Sequence, residues 1–308
     1  TALQGKKPAR RPVWFLRQAG RYLPEYREVR SKVSFVELCQ TPELAAEVTI
    51  QPLRRYDVDA SIIFSDILIP PTVMGQTLTF GKGHGPMLDP VVRTPDDLKK
   101  LHRPDADKNL AYVGEAIKLV KKALKPHQTM IGFAGAPFTV ACYMIEGQGS
   151  KTFSEVKKLA FTDTSTFVAL MDLLADVTID YLKMQVAAGA EVIMLFDTWV
   201  GNLTGKDFRQ LVFPATNKIA TAIKDMGTPI IYFPGQGSEL MSELQGMAVD
   251  GIHVDWRVRM DRAHHTLAKD SHLDVTLQGN LDPNLLVAPE GIVRERTREI
   301  LQLADKDG

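Results

Sequence analysis

Short apolar runs alternate with longer amphipathic stretches along most of this chain. Seven runs rich in β-branched and aromatic residues predict strands, at residues 13–16, 59–66, 130–134, 191–196, 229–233, 251–256 and 274–278. The stretches between them repeat apolar positions at helical spacing and predict helices, at residues 23–40, 41–56, 95–101, 110–124, 153–161, 170–188, 207–226, 239–245 and 289–304. The strands are almost continuously apolar, which is typical of a parallel sheet covered on both faces.

The connections add two local predictions. Thr41 is expected to cap the helix over 41–56, with Pro42 at its first position. Residues 77–90 predict an irregular excursion, because glycines interrupt them at 81, 83 and 85. The Gly-Lys-Gly-His-Gly string there hints at phosphate binding, but it lacks the P-loop pattern, since no Ser or Thr follows a lysine.

The alternation of strands and helices predicts the α/β class, with parallel crossover connections. We expect a single (β/α)8 TIM-type barrel over residues 1–308, with residues 1–11 as a basic N-terminal arm and the eighth strand absent from this chain. The same order of elements also fits a doubly wound sheet. No Gly-x-Gly-x-x-Gly follows any predicted strand, which weighs against a nucleotide-binding version of that fold.

Charge narrows the class of partner. The 308 residues carry 37 Lys and Arg against 37 Asp and Glu, so no net field attracts nucleic acid or a membrane, and neither is expected as a partner. The distribution is nevertheless uneven, because a group of cations precedes the first acidic residue, Glu25: Lys6, Lys7, Arg10, Arg11, Arg17 and Arg21. This group favours a local site for an acidic small molecule.

Cysteine and histidine usage bears on compartment and metal. The two cysteines, Cys39 and Cys142, lie far apart and show no metal-ligand spacing, which favours a reducing compartment and no metal site. The adjacent His264 and His265 fit a solvated helix better than a metal site. The bacterial cytoplasm and a plastid stroma after removal of a leader both fit, and we expect the cytoplasm.

Polar residues follow the predicted strands at their carboxyl ends. Arg17 and Gln18 follow the first strand, Asp66 the second, Asp197 and Thr198 the fourth, and Asn280 the seventh. In a (β/α)8 barrel these ends form the mouth that carries the active site. Each position also has a structural interpretation, which stays open: Asp66 and Thr198 as helix caps, Asp255 and Asn280 as loop ties, and Tyr143 and Phe196 as core aromatics.

Several strings carry a family resemblance. Pro12-Val-Trp-Phe-Leu-Arg17-Gln-Ala-Gly-Arg21 resembles the N-terminal signature of the uroporphyrinogen decarboxylase family, usually Pro-x-Trp-x-Met-Arg-Gln-Ala-Gly-Arg, with Leu16 at the usual Met. Gly132-Phe-Ala-Gly-Ala-Pro-Phe-Thr139, followed by Tyr143-Met-Ile-Glu-Gly147, resembles a second signature. Shorter family-like strings begin at Phe64, Phe196, Val254 and Leu277, so the similarity runs from about Pro12 to the last residues.

The resemblance implies an activity and a set of roles. Members of this family are cofactor-free (β/α)8 barrels, generally homodimers, that convert the four acetates of uroporphyrinogen to methyl groups and so yield coproporphyrinogen. Catalysis would fall to Asp66, which accepts the pyrrole N–H groups, and to Arg17. The substrate carboxylates and side chains would be bound by a larger set: Arg17, Gln18, Ala19, Gly20, Arg21, Arg30, Tyr143, Phe196 and Thr198.

One feature departs from the family. Its members continue beyond the last predicted helix into an eighth strand and an Asn-Leu-Gly-His-Gly segment, whose His contributes to the substrate site. This sequence ends at Gly308, before that segment. We therefore expect the family's C-terminal strand and helix to be missing here through truncation, and this expectation puts the full activity of the 308 residues in question.

Two rival functions belong to other classes. A corrinoid-linked methyltransferase shares this barrel but needs a His-x-Cys string for zinc, and neither cysteine has one. A catalytically silent tetrapyrrole-binding protein is the other rival, and the presence of Asp66 together with the arginines weighs against it.

Overall fold

A parallel sheet forms the centre of the molecule. The computed structural model describes residues 2–6, 8–16, 18–80, 85–270 and 272–304. The strands within these residues are β1 (Ala60–Ile62), β2 (Thr77–Phe80), β3 (Pro86–Asp89), β4 (Thr129–Gly135), β5 (Val192–Asp197), β6 (Ile230–Pro234), β7 (Gly251–His253) and β8 (Thr276–Gln278). Six of these described strands pair in parallel in the order β1-β4-β5-β6-β7-β8, while β2 and β3 form a separate antiparallel hairpin.

Helices occupy the connections between strands. They are α1 (Pro24–Lys32), α2 (Phe35–Gln40), α3 (Pro42–Arg55), α4 (Ile69–Met74), α5 (Pro95–Leu98), α6 (Ala106–Asn109), α7 (Ala111–Ala123), α8 (Pro137–Glu146), α9 (Ser154–Thr162), α10 (Thr164–Ala188), α11 (Gly205–Asp207), α12 (Phe213–Lys224), α13 (Met260–His265) and α14 (Glu290–Ala304). Short 3₁₀ helices lie at Ala2–Gln4, Val200–Asn202, Ser238–Leu244 and Pro283–Val287, and π-helical turns at Phe208–Val212 and Thr266–Asp270. In the described part of the chain, no helix combines the length and the apolar character that crossing a bilayer requires.

Because the six strands are parallel, their carboxyl ends lie along one edge of the sheet. The register pairs Gly135 with Phe196 and Asp197 with Pro234, so the loops after β4, β5 and β6 begin side by side. The predicted α/β class with parallel crossovers is confirmed, and six of the seven predicted strands are present within a few residues of their expected bounds.

Gln185 of α10 extends the sheet where β1 stops. Its side-chain amide accepts the Phe133 N–H at 2.9 Å and donates to the Phe133 carbonyl at 2.8 Å. Gln185 is fully buried, and Gly132 beside it leaves the room that the amide occupies, since a Cβ there would come within 2.6 Å of Gln185 Oε1. The Gln185 side chain thus supplies hydrogen-bond partners to buried backbone groups of β4 that no strand in the described residues pairs.

The first predicted strand, residues 13–16, is wrong. Its backbone forms no strand, and Val13 and Phe15 are 46% and 48% exposed. The Val13 carbonyl accepts one hydrogen bond from the Asp59 N–H, but the Val13 N–H donates to the Asp59 carboxylate. Pro12 has no N–H to donate, and the next N–H along the chain, that of Val13, donates to a side chain. A series of backbone hydrogen bonds to a neighbouring strand therefore does not form.

Residues 77–90 and 23–40 also differ from prediction. The supposed irregular excursion contains the β2–β3 hairpin on either side of residues 81–84, so the glycine string lies partly outside the described residues. The single helix over 23–40 is two helices, because Ser34 starts α2 with a capping box in which its hydroxyl accepts the Glu37 N–H. Thr41 precedes α3 as predicted, but its hydroxyl donates to the Glu37 carbonyl instead of capping α3.

Candidate active site

Gln18 fastens the loop over residues 18–23 to the edge of β1 that no strand in the described residues pairs. This side chain is 3% exposed; its Nε2 donates to the Ala60 carbonyl at 2.8 Å, and its Oε1 accepts the Ile62 N–H at 3.4 Å. The Tyr22 hydroxyl donates to the Gln18 carbonyl. Gln18 therefore does for β1 what a neighbouring strand would do, and it fixes the loop that carries the expected carboxylate-binding groups.

The loop's predicted binding residues lie beside this anchor. Ala19 and Gly20 are partly buried and Arg21 is exposed, as a residue that meets a large ligand from solvent would be. Arg17 falls outside the described residues, so its catalytic and binding roles stay predictions.

The guanidinium of Arg30 is partly engaged at the C-terminal end of its own helix, α1. Its guanidinium donates to the Val33 carbonyl at the C-terminus of α1 and lies 5.9 Å from the centre of the Phe35 ring. Arg30 and Arg21 both lower the pKa of Tyr26, which burial raises overall. The two arginines therefore share one neighbourhood, near the first three helices.

Asp66 follows β1 by four residues and is partly buried. Its Oδ1 accepts the Leu68 N–H at 2.8 Å, and its carbonyl accepts the Ile69 N–H at 3.2 Å, just where α4 begins. Burial raises the pKa of the neighbouring Cys39 thiol; the Asp66 charge adds to this, and the Arg30 charge opposes it. Asp66 and Arg30 thus act on the same buried thiol, which brings the predicted anion close to one predicted cation.

Tyr143 and Thr198 come together through an aromatic group. The Tyr143 ring on α8 lies 6.3 Å from the Trp199 ring, centre to centre, and the Phe153 ring lies 5.3 Å from the Trp199 ring. Thr198 precedes Trp199 and is partly buried. The structure therefore places these two predicted binding residues on adjacent segments.

Glycines lock the loop that carries Thr198 against the next one. A Cβ on Gly235 would lie 2.4 Å from the Thr198 carbonyl oxygen, and a Cβ on Gly201 would lie 2.4 Å from the Gln236 carbonyl oxygen. The Gly235 N–H donates to the Asp197 carbonyl at 2.9 Å. Two backbones can approach this closely only where side chains are absent.

Asp197 turns away from the loops and into the layer between sheet and helices. It is fully buried and accepts the Thr139 hydroxyl at 2.7 Å and the Tyr232 hydroxyl at 2.8 Å. Burial raises the pKa of Asp197 to about 6, although both hydrogen bonds oppose the shift. Thr139 Oγ1 also accepts the Trp199 N–H at 3.1 Å, so this network sets the position of the chain just after Thr198.

Phe196 belongs to a row of aromatic side chains on the face of the sheet opposite to the Asp197 side chain, which we call the inner face. Its ring centre lies 5.6 Å from that of Phe133 on β4 and 5.5 Å from that of Phe233 on β6. The Phe233 ring in turn lies 4.5 Å from the His253 ring on β7. Phe196, Phe233 and His253 are each partly buried, so the row lines the inner face instead of filling a sealed core.

Asn280 follows β8 and forms hydrogen bonds to the loop after β7. Its Nδ2 donates to the Asp255 carbonyl at 3.1 Å and to the Val258 carbonyl. These bonds match the structural alternative for Asn280, a residue that ties loops together.

Sequence reasoning missed the fixed loop geometry and the polar end of the aromatic row. It noted Asp197 as a strand-end residue but not its buried partners, and it gave Gly235 and His253 no role. The Gly-Gln-Gly string at 235–237 is the one signal that could have indicated a close approach of two loops. That Arg17, Asp66, Tyr143 and Thr198 face one cavity stays a prediction.

The described side chains offer no metal centre, since no three of the His, Cys, Asp and Glu among them gather closely enough to hold an ion. Cys39 and Cys142 are buried, and burial raises the pKa of both thiols, which disfavours the thiolate form that binds metal.

Comparison with solved structures supports the fold. A methyltransferase from Methanosarcina mazei superposes with a TM-score of 0.80 over 98% of this chain and 88% of its own, at 20% identity. A B12-independent methionine synthase from Shewanella sp. W3-18-1 superposes with a TM-score of 0.50 over 88% of this chain and 92% of its own, at 11% identity. At these identities the likeness concerns the fold alone.

Comparison of sequences reaches further. The family model described as uroporphyrinogen decarboxylase (URO-D) matches residues 1–308. The uroporphyrinogen decarboxylase of Carboxydothermus hydrogenoformans is 42% identical over 96% of this chain and 83% of its own length. That of Geobacter sulfurreducens is 42% identical over 97% of this chain and 86% of its own length. This chain belongs to the uroporphyrinogen decarboxylase family.

Proposed function

We propose that this protein is a uroporphyrinogen decarboxylase, a carboxy-lyase that removes carbon dioxide from the four acetates of uroporphyrinogen III and yields coproporphyrinogen III. This reaction serves porphyrin biosynthesis, toward heme or chlorophyll. The observation that carries the proposal is the family match over the whole chain, with relatives of that name at 42% identity. The arrangement of Asp66, the arginine-bearing loop and the segments of Tyr143 and Thr198 supports it.

Substrate binding is assigned to the cationic side of the site. Uroporphyrinogen carries eight carboxylates, and a guanidinium holds a carboxylate through two parallel hydrogen bonds. Arg21 is exposed and close to the loop anchored by Gln18, so it can hold a carboxylate while the ring enters. Ala19 and Gly20 complete this loop, Arg30 lies at its margin, and Tyr143, Phe196 and Thr198 are assigned to the far wall. Arg17 is assigned a carboxylate-binding role from the sequence alone.

Asp66 is assigned the chemical role. Protonation of a pyrrole carbon makes the ring an electron sink, so the adjacent acetate loses carbon dioxide and its two bonding electrons enter the ring. A second proton at the methylene carbon then gives the methyl group, and the ring carbon releases the first proton to restore the pyrrole, so each acetate consumes one proton net. A fixed carboxylate beneath the pyrrole N–H groups stabilises the cationic ring in between.

The reaction needs no cofactor under this proposal, because the substrate's own pyrrole accepts the electrons. Turnover should therefore be unchanged after dialysis against EDTA. Loss of turnover that zinc restores would contradict this.

We extend the proposal to architecture and assembly. Residues 1–308 are taken as one domain whose six parallel strands form the larger part of a (β/α)8 barrel, and the protein is taken as a homodimer that acts in the cytoplasm. Sedimentation measured against concentration would test the dimer directly.

The decisive experiment is anaerobic incubation of the purified protein with uroporphyrinogen III, followed by oxidation and chromatography of the porphyrins. We expect species with seven, six, five and finally four carboxylates to appear in order. Binding of uroporphyrinogen without any loss of carboxylates would refute the proposed decarboxylase activity. It would favour the alternative, a catalytically silent tetrapyrrole-binding protein.

A further inference from the structure

The side chains on the inner face of the sheet change from aromatic to polar toward β8. Phe196 and Phe233 are register partners on β5 and β6, and His253 and Gln278 are register partners on β7 and β8. The Phe233 and His253 rings are inclined by only 30°, with centres 4.5 Å apart. These four side chains therefore form one continuous row, which we call the inner row, apolar at its β5 end and polar at its β8 end.

The polar end is organised around His253. Its Nδ1 lies 3.3 Å from Gln278 Oε1, and an amide oxygen only accepts, so Nδ1 carries the hydrogen and the Nε2 lone pair is left over. Within the described residues, His253 Nε2 has no hydrogen-bond partner. It is not one of the unpaired side-chain atoms that are buried from solvent, so Nε2 is accessible. A ring held at one nitrogen and open at the other is prepared to bind a ligand.

The location of His253 complements that of the arginines. The loop bearing Arg21 is fastened to β1, which is one edge of the described sheet, while β7 lies next to the opposite edge strand, β8. Uroporphyrinogen has carboxylates all around its ring. A ligand whose one side is held near β1 therefore presents carboxylates toward β7 and β8 as well.

Resting on the proposed function, we propose that His253 Nε2 binds a carboxylate of the tetrapyrrole on the side of the site remote from Arg21, with Gln278 as the residue that orients the ring. Binding takes up one proton: Nε2 takes it from solvent and donates it in a hydrogen bond to the carboxylate. His253 is thus a specificity-determining residue for acidic tetrapyrroles.

Electrostatics of the free protein agree with this order of events. Burial lowers the pKa of His253, and the hydrogen bond to Gln278 and the Asp255 charge only partly offset this, so the ring is neutral near pH 7. Asp255 is itself paired with Arg257 at 2.7 Å, and the row neighbours Phe233 and Gln278 carry no charge. An arriving carboxylate supplies the missing anion and raises the pKa of the ring.

The test compares KM, kcat and the pH dependence of KM in four proteins: the wild type and three variants. His253→Gln keeps a hydrogen-bonding side chain that cannot be protonated, His253→Phe keeps a ring against Phe233, and His265→Gln is the matched control on the exposed face of α13. We expect KM for uroporphyrinogen III to rise about tenfold in both His253 variants, as for loss of one charge-assisted hydrogen bond, with kcat within about twofold. We expect the wild-type KM to rise with pH from the lowered pKa of the free ring, below 6.5, up to the higher ring pKa of the complex, and this rise should disappear in both His253 variants and persist in His265→Gln.

A wild-type measurement covers the case in which the variants fold poorly. The ring signals of His253 are followed by NMR against pH, without ligand and with anaerobic coproporphyrinogen III, which keeps four carboxylates. We expect the ring pKa to rise on binding. An unchanged ring pKa, or an unchanged KM in folded His253→Gln, overturns the proposal; absence of turnover by the wild-type protein would instead refute the proposed function.

Discussion

The buried carboxylate of Asp197 accepts the hydroxyl of Thr139 at 2.7 Å and so ties the end of β5 to the first turn of α8. The same hydroxyl oxygen accepts the Trp199 N–H, which couples the tie to the loop that carries Thr198. Tyr143 lies on α8, so one hydrogen-bonded pair sets the relative position of two predicted substrate contacts. Asp197 acts through its neighbours and is a positioning residue.

Replacement of Asp66 by Asn should separate catalysis from local structure. The Asn oxygen can still accept the Leu68 N–H, so the turn before α4 and the melting temperature should be preserved. The loss of charge should lower kcat by about 10²–10³. Steady-state turnover of uroporphyrinogen III checks this, with Asp66→Glu as the charge-preserving comparison that loses less; near wild-type turnover by Asp66→Asn would leave Asp66 as a turn residue only.

Arg21→Ala should weaken binding and leave chemistry largely intact. One exposed carboxylate contact is lost while other cations remain, so KM should rise by about tenfold and kcat should change little. Arg27→Ala, at an exposed position on the neighbouring helix α1, is the matched control and should leave both constants unchanged. A collapse of kcat at constant KM would instead identify Arg21 as a proton donor.

Asp197 should give the folded protein a distinctive pH dependence. Its folded pKa of about 6 lies above the ordinary value of 3.8, so the native state holds a proton that the unfolded chain has lost. Its contribution to the free energy of unfolding is thus fully present below about pH 3.8 and is lost as pH rises through about 6, a change of about 3 kcal/mol.

The measurement is urea unfolding of wild type and Asp197→Asn at several pH values between about 4 and 7. We expect the stability of wild type relative to the variant to fall across this range. Glu25→Gln, followed between about pH 2 and 5, is a control of opposite sign, because the Arg55 hydrogen bond lowers the pKa of Glu25 from 4.5 to about 2 and its contribution is lost as pH falls through this range. A flat difference for Asp197→Asn would show that the carboxylate is ionised throughout.

Gly235→Ala should disturb the site without touching a side chain that binds substrate. The new methyl group would come within 2.4 Å of the Thr198 carbonyl oxygen, so one of the two loops must move. We expect a loss of about 1–3 kcal/mol in unfolding free energy, as for overpacking, together with reduced turnover. Gly291→Ala on α14, where no atom lies within 4 Å of the new Cβ, should be neutral or slightly stabilising, and equal behaviour of the two variants would argue against the interlocked loops.

The sequence by itself determined the α/β class and the family. Continuous apolar runs such as 130–134 and 191–196, which are buried at 130–134 and at 193–195, have the composition of parallel strands, and the start of α3 at Pro42 follows the local preference for proline at the first helical position. The arginine-loop string and the Gly132–Thr139 string identified the family because they are long and specific, and the match over residues 1–308 confirms it.

Only the tertiary structure decided how the strand ends are used. Residues 13–16 have the composition of a strand, yet Gln18 and Asp59 take the hydrogen bonds that a strand would have made. Asp197 and Thr198 are neighbours in sequence, but strand alternation sends the Asp197 carboxylate toward Thr139 and Tyr232, away from the inner row. Which partners a side chain meets depends on elements far away along the chain, and no local pattern carries that information.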